Sequence, residues 1–297
     1  MITEVRTVGF IGLGRIGSEL ARNILQKGFS MQVYNRTAEK MSPLVDMGAK
    51  PANSPREAAE GADVVVTCLL DDKSVYANMD GEDGILAGLK PGGVHIGTTT
   101  VSTECPMVLA DMHKAHGSYY LAGPVVGRPD SAEKGQMLTY IAGNRQAAEL
   151  CKPLIQAYAS DINYMGEDHR VANSVKLAIN YFVISLVDLI GQSYAFAEKS
   201  GVDLEFMGNL MLNLLGHPAF TGYIHRIKAR DFDEAAFELK SGFKDVLLML
   251  QASTDNRAPL NYANPIREKF LTALAHGMEH KDWSAIYEIT RWNAGLS

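Results

Sequence analysis

The segment from residue 8 to residue 27 constrains the fold most strongly. An apolar run at 8–12 is typical of a buried strand, and an amphipathic helix is predicted at 18–27. Between them the chain reads Gly12, Leu13, Gly14, Arg15, Ile16 and Gly17. In such a turn the first glycine permits a tight bend, the second lets a ligand approach the backbone, and the third lets the helix pack closely on the strand.

The helix that follows this turn favours an anion at its N-terminus. Its first N–H groups lack partners within the helix, and the helix dipole is positive at that end. A strand, a Gly-x-Gly-x-x-Gly turn and a helix together predict a Rossmann unit that binds the pyrophosphate of a dinucleotide. A glycine turn without a ligand is the alternative interpretation of the same residues.

Short apolar runs alternate with helical stretches as far as residue 166. The predicted strands lie at 8–12, 31–35, 64–70, 94–98, 119–126, 137–142 and 162–165. Strands that alternate with helices in this way form βαβ units. The pattern therefore predicts an α/β Rossmann domain over 1–165 with a doubly wound, mostly parallel sheet.

The strand signals cease after residue 166. Apolar residues then recur at helical spacing over 168–200, which predicts one long helix between the two domains. Further helices are predicted at 204–215, 233–252 and 264–277. The second domain, over 166–297, is therefore expected to be entirely helical.

Composition narrows the range of partners. The 297 residues are 46% hydrophobic and carry a formal net charge of −6, so no basic surface supports binding to nucleic acid or an anionic membrane. The three cysteines are odd in number and show no zinc spacing, which argues against a disulfide framework and against a metal site. No signal peptide is recognisable, and no apolar run approaches the ~20 residues of a membrane span. We expect a cytoplasmic protein that acts on small molecules.

The choice of dinucleotide is decided where the second strand ends. An enzyme that uses NAD usually has Asp or Glu there to bind the ribose hydroxyls, whereas this chain has Asn35, Arg36 and Thr37. No carboxylate repels a 2′-phosphate at this position, and the Arg36 guanidinium and Thr37 hydroxyl suit one. The sequence therefore predicts NADP(H) as cofactor. An arginine that is merely solvated at the end of a strand is the alternative.

Several segments together resemble one enzyme family. They are Gly9-Phe10-Ile11-Gly12-Leu13-Gly14, Asn35-Arg36-Thr37, Thr99-Thr100-Val101-Ser102, Gly123-Pro124-Val125-Val126-Gly127, Lys176 with Asn180, and Lys244-Asp245. In order and spacing they are similar to the β-hydroxyacid dehydrogenases, which include 3-hydroxyisobutyrate dehydrogenases and glyoxylate or succinic semialdehyde reductases, with imine reductases as relatives. The resemblance extends over nearly the whole chain.

The resemblance implies a catalytic lysine at Lys176, with Asn180 four residues later. Helical spacing agrees, because Asn173, Lys176 and Asn180 recur at i, i+3 and i+7 and so share one helix face. That face would direct an ammonium and two amides toward the cleft between the domains. When a hydride reaches a carbonyl carbon, a positioned lysine can protonate the oxygen. A solvated polar stripe is the alternative, and it would be preferred without the resemblance.

Four further residues are expected at the cofactor. The resemblance implies that Thr100 contacts the nicotinamide side and that Lys244 reaches the cofactor or substrate from the helical domain. Leu69 and Leu70 end a predicted strand and are expected to line the adenosine half of the site. A turn threonine, a surface lysine and core leucines are the respective alternatives. The family further implies a homodimer or homotetramer formed through the helical domain.

The substrate loop departs from the family pattern. Typical members read Asp-Ala-Pro-Val-Ser-Gly-Gly, whereas residues 122–128 read Ala-Gly-Pro-Val-Val-Gly-Arg. Val126 lacks the hydroxyl that holds a substrate carboxylate in the family, and Arg128 after Gly127 offers a guanidinium that could replace it. Reduction of a semialdehyde or keto acid is therefore the leading hypothesis. An imine reductase and a non-catalytic NADP-binding regulatory protein are the alternatives.

Overall fold

The computed structural model describes residues 3–199, 201–215, 218–255, 260 and 262–297. They divide into two compact units, Met1–Lys176 and Leu177–Ser297. The predicted helix over 168–200 is observed as Arg170–Lys199, and its predicted last residue lies outside the described part of the chain. This helix begins in the first unit and ends in the second.

The first unit is built on a nine-stranded sheet. Its strands are β1 (Thr7–Ile11), β2 (Ser30–Tyr34), β3 (Lys50–Pro51), β4 (Val64–Thr67), β5 (Val94–Gly97), β6 (Tyr119–Ala122), β7 (Val125–Val126), β8 (Met137–Gly143) and β9 (Ala159–Tyr164). The order is β3-β2-β1-β4-β5-β6-β8-β7, and β9 pairs with β8. From β3 to β6 all neighbours are parallel, so the predicted doubly wound, mostly parallel sheet is confirmed.

Helices connect these strands. They are α1 (Arg15–Gln26), α2 (Ser42–Val45), α3 (Pro55–Ala59), α4 (Asp72–Tyr76), α5 (Ile85–Gly88), α6 (Cys105–His116), α7 (Pro129–Glu133) and α8 (Arg145–Ile155), with a 3-10 turn at Ala38–Met41. The central strands β4 and β5 are buried along their whole length, because helices cover both faces of a parallel sheet. This arrangement leaves the loops at the carboxyl ends of the strands as the place for a ligand.

The prediction of one strand over 119–126 was wrong. The chain forms β6, breaks at Gly123 and Pro124, and continues as β7, which runs antiparallel to β8. Proline has no N–H for the ladder, so a central strand cannot pass through it. The loop thereby becomes a bend beside the carboxyl end of β5, where Val125 N contacts Thr98 O at 3.4 Å.

The second unit is helical. Its helices are α9 (Arg170–Lys199, from the first unit), α10 (Leu204–Leu215), α11 (Pro218–Ala229), α12 (Leu239–Asp255), α13 (Ala263–Ala275) and α14 (Ile286–Asn293), with a 3-10 turn at Trp283–Ala285. Its core is a continuous cluster of aliphatic and aromatic residues that includes Ile184, Ile190 and Tyr194 from α9. The sequence interpretation expected a helical domain here but gave no bounds for α11 and α14.

The helix predicted over 233–252 begins six residues late, at Leu239. Buried Asp282 is the physical reason, because its carboxylate accepts from the backbone N–H groups of Ala236 and Phe237 at 3.1 and 3.4 Å. Asp282 also pairs with Arg226 at 3.0 Å. These tertiary bonds hold the segment before Leu239 in an irregular conformation despite its helical spacing.

One helical stretch is long and apolar enough to cross a membrane by composition alone. It runs from Arg170 to Ala195 within α9 and has a mean hydropathy of 1.5. Lys176, Asn180 and Asp188 interrupt the stretch, so its uninterrupted apolar runs stay short, as the sequence expectation states. Ile184, Val187 and Ile190 of this stretch lie in the core of the helical unit, so its apolar character is explained by packing.

Candidate active site

The glycine turn after β1 has the geometry that the sequence predicts. Gly12 has φ +98°, and a Cβ there would lie 2.3 Å from the carbonyl oxygen of Cys68. A Cβ on Gly17 would lie 2.1 Å from the carbonyl oxygen of Gly12. Neither position tolerates a side chain. At Gly14, by contrast, a Cβ would meet no atom within 4 Å, so the backbone there borders open space.

Helix α1 begins at Arg15 directly beside that space. Its N-cap is Gly14, which provides no side-chain hydrogen bond to the first turn. The first N–H groups and the positive end of the helix dipole therefore remain available to an anion. The open space at Gly14 and the uncapped helix together fit the pyrophosphate of a dinucleotide.

Asn35 has a structural contact that sequence reasoning did not foresee. Its Oδ1 accepts from Leu13 N at 2.9 Å, and its Nδ2 donates to the carbonyl of Thr37 at 2.9 Å. The side chain thus ties the glycine turn to the residues after β2. Arg36 and Thr37 are exposed at the end of that strand, where the sequence predicts contact with a 2′-phosphate.

The carboxyl ends of β4 and β5 are joined by side-chain bonds. Leu69 N donates to Thr99 Oγ1 at 2.8 Å, and Thr98 Oγ1 donates to Thr67 O at 2.8 Å. Leu69 also borders the glycine turn, while Leu70 is exposed. The turn after β1 and the loops after β4 and β5 therefore form one edge of the sheet.

The first turns of α9 reach the same edge. Asn173 is fully buried, and its Oδ1 accepts from the backbone N–H of Val101 at 3.2 Å. Thr100 and Lys176 are half-buried. Within the first unit the structure thus brings together the glycine turn, Leu69, the 99–101 loop and the helix face that carries Lys176.

The substrate loop follows β6. Val126 is half-buried in β7. Gly127 has φ +153°, and a Cβ there would lie 2.6 Å from Met137 Sδ. Nε and Nη2 of Arg128 each lie 3.2 Å from a carboxylate oxygen of Asp130. This ion pair lowers the pKa of Asp130. A substrate carboxylate at Arg128 would have to compete with Asp130.

In the helical unit, Asp245 is the residue that sequence reasoning did not include among the site residues. Its carboxylate is buried: Oδ2 accepts from Asn180 Nδ2 at 2.6 Å, and Oδ1 lies 2.7 Å from Lys244 Nζ at ion-pair distance. Asn180 and Lys244 are therefore held by one anion. The available signal in the sequence was an aspartate directly before the apolar run 246–250. A carboxylate at such a position requires partners if the fold buries it.

Comparison with known proteins places the chain in a family. The profile of the NAD binding domain of 6-phosphogluconate dehydrogenase matches residues 7–166, and that of the NAD-binding domain of NADP-dependent 3-hydroxyisobutyrate dehydrogenase matches 171–290. The chain belongs to the β-hydroxyacid dehydrogenase family. This family member is 37% identical to an uncharacterized oxidoreductase of Bacillus subtilis, over 94% of this chain and 98% of that protein. It is 30% identical to 3-sulfolactaldehyde reductase of Escherichia coli, over 98% and 97%.

Solved structures agree on the fold. A 3-hydroxyisobutyrate dehydrogenase from Salmonella typhimurium matches with a TM-score of 0.86 at 24% identity, over 96% of this chain and 99% of that one. An imine reductase from Myxococcus stipitatus in complex with NADP+ matches with a TM-score of 0.64 at 20% identity, over 95% and 99%. This β-hydroxyacid dehydrogenase is accordingly an NAD(P)-dependent oxidoreductase that acts on small molecules. The described residues contain no group of three side chains suited to a metal ion.

Proposed function

We propose that this chain is an NADPH-dependent reductase that transfers a hydride between NADP(H) and a small semialdehyde or keto acid. Lys176 is the general acid in reduction and the base in the reverse direction. The observation that carries the proposal is the placement of Lys176 on α9, three residues after Asn173, whose side chain contacts the loop after β5. Asn180, one turn later, has its amide fixed by Asp245.

The protein contributes proton transfer and charge stabilisation. Bound NADPH supplies the hydride. As negative charge develops on the carbonyl oxygen, the Lys176 ammonium stabilises it and donates a proton from Nζ. Asn180 and Lys244 assist as hydrogen-bond donors. Asp245 contacts both side chains and so keeps these donors in fixed positions.

The residues that hold NADPH are assigned from the first unit and from Lys244. Residues 12–17 at the uncapped start of α1 would hold the pyrophosphate, and Arg36 and Thr37 would hold the 2′-phosphate. Leu69 and Leu70 would line the adenosine half, and Thr100 would contact the nicotinamide side. Asn35 contributes indirectly, because it holds the turn at Leu13.

Val126, Gly127, Arg128 and Asn173 are assigned to the substrate. Arg128 takes over the role of the hydroxyl that the family pattern has at the position of Val126. To do so, its guanidinium releases the Asp130 carboxylate and binds the substrate carboxylate instead. Reduction of an imine is the second candidate function, and Val126 favours it because an imine requires no anion site. The domains are assigned as 1–165 for NADP and 166–297 for substrate and dimerisation, in a cytoplasmic enzyme.

A homodimer or homotetramer is part of this proposal. The helical unit exposes large apolar side chains that follow one face of α10: Phe206, Leu210 and Leu214. On α9, Phe182 and Leu189 are also exposed, two turns apart. Contiguous apolar residues of this kind are typical of an interface between subunits.

The test of the function is an assay of NADPH and NADH oxidation at 340 nm. The substrates are glyoxylate, succinic semialdehyde, methylglyoxal and a cyclic imine. We expect turnover of an aldehyde or keto acid, with NADPH preferred over NADH because Arg36 replaces a carboxylate. Turnover of the imine alone would establish the second candidate, and equal affinity for both dinucleotides would contradict the assignment at Arg36. NADPH binding without any turnover would contradict the function.

Substitution of Asp245 is expected to impair activity indirectly, through the side chains of Asn180 and Lys244. Asp245→Ala releases Asn180 and Lys244, and such misplacement lowers kcat/KM by about 10²-fold. The matched control is Asp188→Ala, which removes another buried carboxylate of the helical unit, paired with Lys269. We expect a similar fall in melting temperature for both variants but near wild-type kcat/KM for Asp188→Ala. Equal losses of activity would show that Asp245 contributes only to stability.

A further inference from the structure

Asn173 makes a bond that links the beginning of α9 to the loop after β5. Its side chain is 0% exposed, and Oδ1 accepts from Val101 N across 72 positions of sequence. Because a backbone N–H can only donate, the atom that faces Val101 is the oxygen. The Nδ2 amino group must therefore point away from Val101.

The loop that Asn173 contacts is held on both sides of Thr100. Thr99 Oγ1 accepts from Leu69 N at 2.8 Å, and Ser102 N donates to Asp72 Oδ1 at 2.9 Å. The bond from Val101 to Asn173 completes a set of attachments to three different elements. The backbone position of Thr100 is consequently fixed by its neighbours, and Asn173 provides one of the attachments.

The other end of the Asn173 side chain is unusual. Nδ2 is buried, and among the described residues no acceptor lies within hydrogen-bond distance of it. Because the atom is covered in this conformation, a ligand oxygen reaches it only when the neighbouring side chains move, and an unpaired buried N–H group destabilises the folded protein. Such a group is explained when a ligand supplies the acceptor. Lys176 lies three residues later on the same helix face. The unpaired Asn173 amino group therefore shares a helix face with the ammonium that we propose as proton donor.

We propose that Asn173 has two tasks at this site: Oδ1 positions the 99–101 loop, and Nδ2 donates a hydrogen bond to an uncharged carbonyl-type oxygen of a bound ligand. Two ligands offer that chemistry, namely the carboxamide oxygen of the nicotinamide and the carbonyl oxygen of the substrate. The inference rests on the proposed function, since it places Asn173 beside the reacting groups.

Asn173→Asp separates the two tasks. The aspartate retains an oxygen for Val101 N but presents a second oxygen in place of the donor. We expect the affinity for the ligand to fall about tenfold, which corresponds to loss of one hydrogen bond with added repulsion. A protonated carboxyl group can donate again, so the loss should become smaller as the pH is lowered from 8 to 6. A purely structural role would not produce this recovery.

Two readouts identify the ligand. NADPH fluorescence titration without substrate gives the Kd, and a raised Kd assigns the nicotinamide carboxamide as acceptor. A raised KM for the carbonyl substrate with unchanged Kd assigns the substrate oxygen. Unchanged Kd and KM overturn the inference. If the wild type binds NADPH but turns over no substrate, the proposed function fails, and the Kd of Asn173→Asp alone then decides the inference.

Asn23 provides the matched control. It is also a buried asparagine of the first unit, but its Nδ2 donates to the carbonyl of Ala132 at 2.6 Å. Asn23→Asp therefore loses a bond that exists in the protein without ligand, whereas Asn173→Asp does not. We expect the larger fall in melting temperature for Asn23→Asp and the loss of ligand affinity only for Asn173→Asp. The reverse pattern overturns the inference.

Discussion

Replacement of Lys176 by alanine is expected to lower kcat/KM for carbonyl reduction by about 10²–10⁴-fold, the range of general acid catalysis. The alanine can neither stabilise the developing charge on the oxygen nor protonate it. The helix that carries it should persist, because alanine is the most favourable residue in a helix interior. Steady-state NADPH oxidation measures the loss, and fluorescence titration shows whether NADPH still binds.

Two further variants define the role of Lys176. Lys176→Arg keeps a positive charge, but a guanidinium does not release its proton under physiological conditions. If proton donation is the task, Lys176→Arg should be nearly as inactive as Lys176→Ala. Lys152→Ala removes an exposed lysine of α8 and should have wild-type activity. Activity indifferent to Lys176 would assign the proton donor to another residue and favour imine reduction.

Acid is expected to destabilise the first unit through a buried chain of hydrogen bonds. Thr67 Oγ1 lies 2.9 Å from His95 Nε2, His95 Nδ1 lies 3.0 Å from His113 Nε2, and His113 Nδ1 lies 2.8 Å from Ser118 Oγ. The contact between His95 Nδ1 and His113 Nε2 holds one proton, so at least one of the two rings is neutral.

Burial disfavours the charged form of both rings. It lowers the pKa of His95 to about 3 and the pKa of His113 well below its ordinary value. The unfolded chain therefore binds more protons than the folded protein below pH 6.5, and stability is fully present above that pH and is lost as the pH falls. Each histidine contributes about 1.4 kcal/mol per pH unit in that range, so the free energy of unfolding should fall by about 4 kcal/mol between pH 7 and pH 5.

Urea unfolding followed by circular dichroism at pH 7, 6 and 5 measures this dependence. His169, whose pKa burial also lowers, acts in the same direction. Asp63 does not interfere: burial raises its pKa, but hydrogen bonds outweigh that effect and bring it to about 2, so it acts only below pH 4. His113→Gln should remove the share of the slope that one buried histidine contributes, and exposed His225→Asn is the matched control. A pH-independent free energy of unfolding would exclude neutral buried rings.

Much of the fold was predictable because its signals are local. The glycine turn between β1 and α1 needs only ten consecutive residues to be recognised, and the strands β1, β2, β4 and β5 follow from short apolar runs, whereas β3 was not predicted. The predicted ends of these strands were one to three residues too long, because each prediction extended into the loop that forms the site. Pro124 within an apolar run was a local signal for the break between β6 and β7.

The residues of the candidate site were predictable in part. Spacing places Asn173, Lys176 and Asn180 on one helix face, but it does not reveal what each side chain contacts. The bond from Val101 to Asn173 joins residues 72 positions apart, and the bond from Asn180 to Asp245 joins residues 65 positions apart. No local pattern encodes such pairs. Asp245 and the orientation of the Asn173 amide became evident only in the folded chain.

The sequence by itself determined the α/β and helical organisation, the dinucleotide turn and the helix face that carries Lys176, because backbone sterics and hydrophobic periodicity act over a few residues. Tertiary structure alone decided the start of α12 at Leu239, the paired state of Arg128, and the hydrogen-bonded chain through His95 and His113. A buried polar group must find its partner wherever the fold brings one, and that requirement acts across the whole unit.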